Sequence, residues 1–429
     1  MTPESELSEP PSLSRNRDFL LLWTSQAVSV LGSQISGIAY PLLVLALTDS
    51  ATKAGIVASA FLLPTLLLQL HAGALIDRWN RKRVMLACEA VRGVGAASIV
   101  LALALDRLTF EQIVLVAFVE GTLWISFGLA ELAALPRVVT PARVSEAIAR
   151  NESRTYAATL LGPPLGGLLF AVGRAVPFLV DAVSYLVSLL LVSRIRSELQ
   201  ERREPAARRM RHEIREGVAW LWQQPFLRYS VFLVGGINVV VNSVVLVAIV
   251  HARRHDVHPS LIGAMIAAVG IGGLLGSLAA PRLQRRLHTR VVVLGVLWLD
   301  ALLLLVLVPT ANPIWFAAVF ATIGFLGPIW NSVVTGYRVA IVPDRLQGRV
   351  NSAARLVAFG TQPLGFVLAG VAADTVGTVA AIAASSALML ALAIAATLTP
   401  SVRRVADLKQ LLAERQQEGA VAASTASHA

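Results

Sequence analysis

The stretch Gly73-Ala74-Leu75-Ile76-Asp77-Arg78-Trp79-Asn80-Arg81-Lys82-Arg83 decides how the rest of the chain reads. It is a short, strongly basic turn between two long apolar runs. The run before it, residues 54–74, carries only Gln69 and His71 as strong polar interruptions, and the next begins at Val84. A polytopic membrane protein has a use for that pattern: helix-length apolar segments cross the bilayer, and Arg and Lys collect in the short loops on the cytoplasmic side.

Composition agrees. Hydrophobic residues make up 56% of the 429 residues and charged residues 15%, where soluble domains carry about 25% charged residues. The net charge of +11 does not form one basic patch but recurs in alternate loops, which argues against a nucleic-acid partner. The single cysteine, Cys88, excludes an intrachain disulfide framework and a multi-cysteine metal site. Residues 1–17 are polar and Pro/Ser-rich and lack the apolar core of a signal peptide.

The hydropathy pattern predicts an all-alpha polytopic membrane protein. Twelve transmembrane helices are expected, at about 19–46, 54–75, 84–105, 111–134, 148–172, 175–193, 225–250, 259–280, 290–308, 313–336, 349–373 and 377–398. The fifth and eleventh are the least hydrophobic and are interrupted by Gly and Pro, as helices lining an internal surface can be. The loops 76–83, 135–147, 194–224, 281–289 and 337–348 hold most of the arginines and are assigned to the cytoplasm, with both termini. The segment 251–258 is the one strongly basic external loop and is outvoted.

The organisation expected is a cytoplasmic tail (1–17), a six-helix bundle (18–193), an amphipathic linker (194–224) with Trp220 and Trp222 at the membrane surface, a second six-helix bundle (225–400) and a second cytoplasmic tail (401–429). The halves echo each other: Pro141, Asn151 and Pro164-Leu165-Gly166 return as Pro343, Asn351 and Pro363-Leu364-Gly365. Two pseudo-symmetric bundles built from a repeat are a recurring plan of secondary transporters.

These features resemble the major facilitator superfamily over about residues 16–400. The 73–83 stretch looks like its motif between the second and third helices, in Gly73, Asp77, Arg78, Arg81, Lys82 and Arg83. The opening Arg17-Asp18 to Trp23 with Gln26, the run Ser29 to Gly32, and Asn151-Glu152-Ser153-Arg154 ahead of Gly162-Pro163-Pro164-Leu165-Gly166-Gly167 are similar to the drug, macrolide and enterobactin-type siderophore exporter branch. The resemblance implies the major facilitator fold and a cytoplasmic latch built on the 73–83 motif. It also implies a Gly/Pro-rich fifth helix at the bundle interface, made by Gly162, Pro163, Pro164, Gly166 and Gly167. The second-half counterpart, Gly276 to Arg282, lacks the acidic residue, so a gating contact by Asp77 is one-sided.

Charges inside apolar helices are the candidate coupling groups, because an ionisable side chain there is expensive and pairs or titrates. Glu89 and Arg92 stand three apart on one helical face and read either as a structural ion pair or as working residues. Glu120 and Glu131 share a span without a basic residue, and Asp181 and Asp300 stand in the sixth and ninth spans. Asp181, then Glu120 and Asp300, are the proton-coupling candidates. Asp18 reads as a helix N-terminal residue satisfied by the dipole. Gln26, Gln34, Tyr40, Gln69, Trp124, Asn238, Asn242, Trp330, Asn331 and Gln362 would line a cavity for a bulky amphipathic ligand or bond across helices.

No phosphate-binding Gly-rich loop and no metal-ligand motif occurs in the sequence, and no convergent catalytic set can be assembled, so neither an enzyme nor a bound cofactor is expected. The expectation is a monomeric, lipid-embedded secondary transporter of the bacterial cytoplasmic membrane. It would export a hydrophobic or amphipathic small molecule and draw on the proton gradient. Uptake or lipid movement by the same fold, and a non-transporting membrane sensor, are the other readings.

Overall fold

A computed structural model describes residues 12–76, 79–200, 210–308, 310, 312–343, 346–408 and 410. Among these the regular structure is entirely helical. The main helices are α1 (Arg17–Thr48), α2 (Ala51–Ile76), α3 (Arg81–Ala104), α4 (Phe110–Val138), α5 (Val144–Val172), α6 (Val176–Ser193), α7 (Met210–Gln223), α8 (Pro225–Arg254), α9 (Pro259–Arg286), α10 (Thr289–Leu307), α11 (Pro313–Ile341), α12 (Gln347–Gly360), α13 (Gln362–Thr375), α14 (Thr378–Leu398) and α15 (Pro400–Arg403). Among the described residues, eleven helical spans are long and apolar enough to cross a membrane, and Ala51–Leu67 of α2 is a shorter apolar stretch. The chain is therefore a multi-pass membrane protein.

Local chemistry sets the boundaries. Pro225, Pro259 and Pro313 open α8, α9 and α11, where a missing N–H costs nothing. The side chains of Asn80, Thr109 and Asn312 accept backbone N–H groups at the starts of α3, α4 and α11. Because Asn80 caps α3, the helix begins at Arg81 rather than at Val84, and the basic cluster forms its first turn. Both α4 and α11 run on past the ends expected from hydropathy, through Pro136 to Val138 and through Arg338 to Ile341.

The eleventh expected span is two helices. Pro363 removes one intrahelical donor, and α12 ends at Gly360 before α13 starts at Gln362. The carbonyl of Ala358, just before the break, accepts the Asn238 side-chain amide at 2.6 Å and the Thr361 hydroxyl at 3.2 Å. In α5 the pair Pro163-Pro164 lies within one unbroken helix.

The described residues group into two compact units, one drawn from Met1–Ala39 and Leu67–Ala206 and the other from Tyr40–Leu66 and Ala207–Ala429. The end of α1 and the first half of α2 thus pack with the second unit. In the first unit Leu13, Phe19, Leu22, Met85, Phe127, Leu135, Val192 and Leu199 form a buried apolar cluster. In the second, α9 and α11 meet backbone to backbone. A Cβ at Gly272 would lie 1.8 Å from the Ala321 carbonyl oxygen, and one at Gly276 would lie 2.1 Å from that of Phe325. Small residues are what allow such an approach. Helix α7 packs on α12, with Gly217 against the Arg349 backbone and Glu216 paired to Arg349. Trp222 on α7 is exposed.

Candidate functional site

Within the first unit, α1, α3, α4 and α6 enclose a buried polar cluster. Its charged members are Glu89 and Arg92 from α3, Glu120 from α4 and Asp181 from α6, each 5% exposed or less. Tyr185, one helical turn beyond Asp181, is fully buried. Helix α1 contributes neutral groups at turn-by-turn spacing: Gln26, Ser29, Ser33 and Ser36.

Arg92 is the hub. Its Nη2 donates to Ser33 Oγ at 2.7 Å and to the Tyr185 hydroxyl oxygen at 2.8 Å. Its guanidinium also stands 3.8 Å from Glu89 and 3.9 Å from Glu120, and it lies 4.2 Å from the Tyr185 ring centroid and 5.5 Å from that of Trp124. Glu89 accepts from Gln26 Nε2 at 3.2 Å and from Ser29 Oγ at 3.2 Å. Glu120 accepts the Tyr185 O–H at 2.6 Å. Asp181 accepts the Ser36 O–H at 2.6 Å, and Gly32 makes room for it, since a Cβ there would sit 2.7 Å from Asp181 Oδ1. Three carboxylates thus surround one guanidinium, bridged by hydroxyls.

This geometry joins four of the six coupling candidates, and it separates the other two. Glu131 pairs across helices with Arg154 of α5 at 3.0 Å, both buried, and Asn151 adds a 3.4 Å hydrogen bond. Asp300 lies in α10 of the second unit, buried, and its Oδ1 has no hydrogen-bond partner.

Of the 73–83 motif, Asp77 and Arg78 lie outside the described residues, as do the side chains of Gly73 and Gln69. Arg81 and Lys82 bind backbone carbonyls of their own unit. Arg81 Nη1 donates to Ala133 and Leu199, at 2.8 and 3.0 Å, and Lys82 Nζ to Ser193 and Ile195, at 2.9 and 2.7 Å. Positive groups at the ends of α4 and α6 complement the exposed carbonyls there. Arg83 is exposed. Asp18 is not satisfied by its own helix end: it accepts backbone N–H bonds from Arg196 and Ser197 at 3.2 and 2.8 Å, which pins the start of the linker.

The cavity candidates are dispersed. Gln26 serves Glu89, Gln34 donates to Thr159 at 2.7 Å, and Asn242 donates to the Asn238 carbonyl at 2.7 Å. Asn238 closes the α12–α13 break, Trp124 faces Arg92, and Tyr40 is buried. Trp330 is buried with its Nε1 unpaired, Asn331 is exposed and Gln362 is half-buried. In the Gly/Pro-rich α5, Gly162 and Gly166 face α1: added Cβ atoms would lie 2.3 Å from Gln34 Cβ and 2.4 Å from the Ile35 carbonyl oxygen. Pro163 and Gly167 are buried and Pro164 is half-buried.

Two features of the site escape the sequence. Tyr185 is an ordinary aromatic residue in an apolar run until the fold sets it beside Arg92 and Glu120. In the second unit, Asp374 at the end of α13 accepts from Ser50 Oγ and from the Ala51 and Thr52 backbone N–H groups at 2.9–3.0 Å, capping α2, and pairs with Arg254 at 2.9 Å. One of the arginines in the anomalous basic segment 251–258 is thereby neutralised.

A buried ionic cluster among apolar membrane-length helices is an expensive arrangement, of the kind kept where charges have work to do. The chain belongs to the Major Facilitator Superfamily, whose family profile matches residues 22–365. It is 27% identical over 403 residues to the multidrug efflux pump Tap of Mycolicibacterium fortuitum, covering 90% of this chain and 96% of that one. It is 24% identical over 405 residues to macrolide efflux protein A of Streptococcus pyogenes, covering 91% and 98%. The crystal structure of the nucleoside transporter NupG has the same fold, with a TM-score of 0.71 at 12% identity over 87% of this chain and 98% of that one.

Proposed function

We propose that this protein exports hydrophobic or amphipathic compounds of the drug and macrolide type, driven by protons moving the other way. The observation that carries the reading is the buried cluster of Glu89, Glu120 and Asp181 around Arg92. Three acids around one base balance their charge when two protons are bound, so the cluster can take up and release protons as its access to water changes. Burying these charges in a bilayer is expensive, and transporters retain such groups where they relay ions. The relatives named multidrug and macrolide efflux pumps match nearly the full length of the chain, which supports the substrate class and the outward direction.

In this reading the twelve helices form two pseudo-symmetric six-helix bundles in the bacterial cytoplasmic membrane. The protein acts as a monomer, with both termini and the 73–83 motif on the cytoplasmic side. Alternating access moves the substrate, with protonation biasing one state. Asp77 latches the cytoplasmic face.

Inverted vesicles and proteoliposomes test it. An acid interior should drive accumulation of erythromycin and of ethidium in inverted vesicles. Flux that persists unchanged after the proton gradient is collapsed, at constant membrane potential, would reject proton coupling. Absence of flux for a broad panel of amphipathic drugs would reject the substrate class. Cysteines introduced for Trp79 and Arg107 in a Cys88→Ser background should label from the inside and the outside respectively, and the reverse result would overturn the topology.

A further inference from the structure

We infer that Tyr185 is the positioning residue that reports the protonation of Glu120 to Arg92 and to α1, by turning its hydroxyl hydrogen away from Glu120 to another acceptor. The inference rests on the proton-coupled reading above and assigns the step to one atom.

The Tyr185 oxygen stands where four groups converge, the Asp181 carboxylate among them. Glu120 Oε1 is 2.6 Å away, Arg92 Nη2 is 2.8 Å away and Ser33 Oγ is 2.9 Å away. Arg92 can only donate. An ionised Glu120 can only accept, so the Tyr185 hydrogen goes to Glu120 and a lone pair takes Arg92. When Glu120 binds a proton, its new O–H has the Tyr185 oxygen as a partner already in place. That oxygen now accepts from Glu120 and from Arg92, and its own hydrogen must point elsewhere. Two other acceptors are within reach, Ser33 Oγ and the Asp181 carboxylate. Ser33 can receive it because its own hydrogen is committed to the Ser29 carbonyl at 2.9 Å. The proton bound equals the proton gained: no bond other than Glu120 O–H forms, and the rest is rotation about one C–O bond.

The consequence for Arg92 follows from charge. It stands at nearly equal distance from two carboxylates, 3.8 Å from Glu89 and 3.9 Å from Glu120, and its short contacts are to the neutral hydroxyls of Ser33 and Tyr185. Neutralising Glu120 leaves Glu89 as the nearer counter-charge, and Glu89 is held by Gln26 and Ser29 of α1. The guanidinium is drawn toward Glu89, and the tension is passed to α1 through Ser29 and Ser33. The titratable groups facing this centre are Arg92, Glu89 and Cys88 on α3, Glu120 on α4, and Asp181 on α6; α1 presents only neutral groups.

Tyr185→Phe removes the hydroxyl and keeps the ring beneath Arg92. Purified protein in proteoliposomes is to be assayed with ethidium as the probe and a trapped pH dye for protons. Wild type should bind ethidium with a pH-dependent affinity and couple its flux to proton movement. Tyr185→Phe should bind ethidium with an affinity that no longer varies with pH, lose at least tenfold in proton-driven flux, and keep ethidium exchange at equal pH. Ser33→Ala, which removes one of the two other acceptors, should weaken the same pH dependence, and it decides the matter if Tyr185→Phe does not fold. Wild type indifferent to the proton gradient would overturn the coupled reading and this inference with it. Wild type that is proton-driven, with both variants retaining its pH profile and flux, would overturn the role of Tyr185 alone.

Discussion

Glu131 is the acidic residue whose role the fold specifies most sharply, and it can be tested as a structural ion pair. Its carboxylate meets the Arg154 guanidinium at 3.0 and 3.4 Å, with both residues less than a tenth exposed. Glu131→Gln keeps the shape and leaves a buried cation with one fewer counter-charge; the Nε of Arg154 already has no partner. At about 4 Å and an effective dielectric of about 20, the lost attraction is about 4 kcal/mol. Removing one partner from a buried pair typically destabilises by about 3–5 kcal/mol. That is a large part of the total of about 5–15 kcal/mol that folded proteins possess. Replacing both partners, as Glu131→Leu with Arg154→Met, should recover most of the loss, because no uncompensated charge remains and the apolar groups fill the volume.

The assay is unfolding in mixed micelles with increasing denaturing detergent, followed by the fluorescence of the eight tryptophans. Glu131→Leu and Arg154→Met should each lose about 3–5 kcal/mol alone, and the double variant should lie within about 1 kcal/mol of wild type, which gives a large interaction energy in the cycle. Additive single losses, or single losses under about 0.5 kcal/mol, would refute the argument. Transport separates structure from coupling: the double variant should retain proton-driven flux, and its loss in a well-folded double variant would return Glu131 to the coupling machinery.

Four further outcomes are expected. Gly272→Ala should destabilise by about 1–3 kcal/mol through overpacking, because its Cβ falls 1.8 Å from the Ala321 oxygen. Gly295→Ala, where nothing lies within 4 Å, should be neutral or stabilising by up to about 1 kcal/mol; thermal midpoints in detergent compare the two. Asp374→Ala should lose about 1–2 kcal/mol with the cap of α2, read as faster amide exchange at Ala51 and Thr52. Asp300→Asn should leave proton-driven ethidium flux within about twofold of wild type, since no base stands beside it among the described residues to take up its charge change; a loss of about tenfold or more would contradict this.

Helix positions were legible because hydropathy is summed over about 20 residues. The helix ends were not, because single side chains such as Asn80 and Pro363 decide them. Glu89, Arg92, Glu120 and Asp181 stand out in the sequence as charges in hydrocarbon. What joins them does not: Ser33, Ser36 and Tyr185 are unremarkable in a membrane helix, and only the packing of α1 against α6 gives them work. Arg154 was visible in the Asn151–Arg154 motif but not as the partner of Glu131, which lies on the preceding helix. A pairing of α4 with α5 is a fair inference from their short connection, so that signal was available. Arg254 and Asp374 are 120 residues apart, and no local pattern links them.

Two stretches that echo each other in the sequence also make alike contacts in the fold. Gly166 of α5 meets the Ile35 carbonyl and the Ile38 side chain of α1, and Gly365 of α13 meets the Val239 carbonyl and the Asn242 side chain of α8. The contact is the same in form, with partners three apart on the first helix of each half. Helices α4 and α11 are both 29 residues long, and α5 matches the 29-residue span Gln347–Thr375. A carbonyl within 2.5 Å of a would-be Cβ admits only glycine, so drift there breaks the helix pair and packing holds the repeat in place. Charges are under no such duty. By the spacing from Gly73 to Gly276, Glu89 and Arg92 fall on Val292 and Gly295, so the ionic pair of α3 has no counterpart on α10. The repeated sequence therefore marks helix contacts but not the buried charges, and the ionic chemistry has to be read from α1, α3, α4 and α6 by themselves.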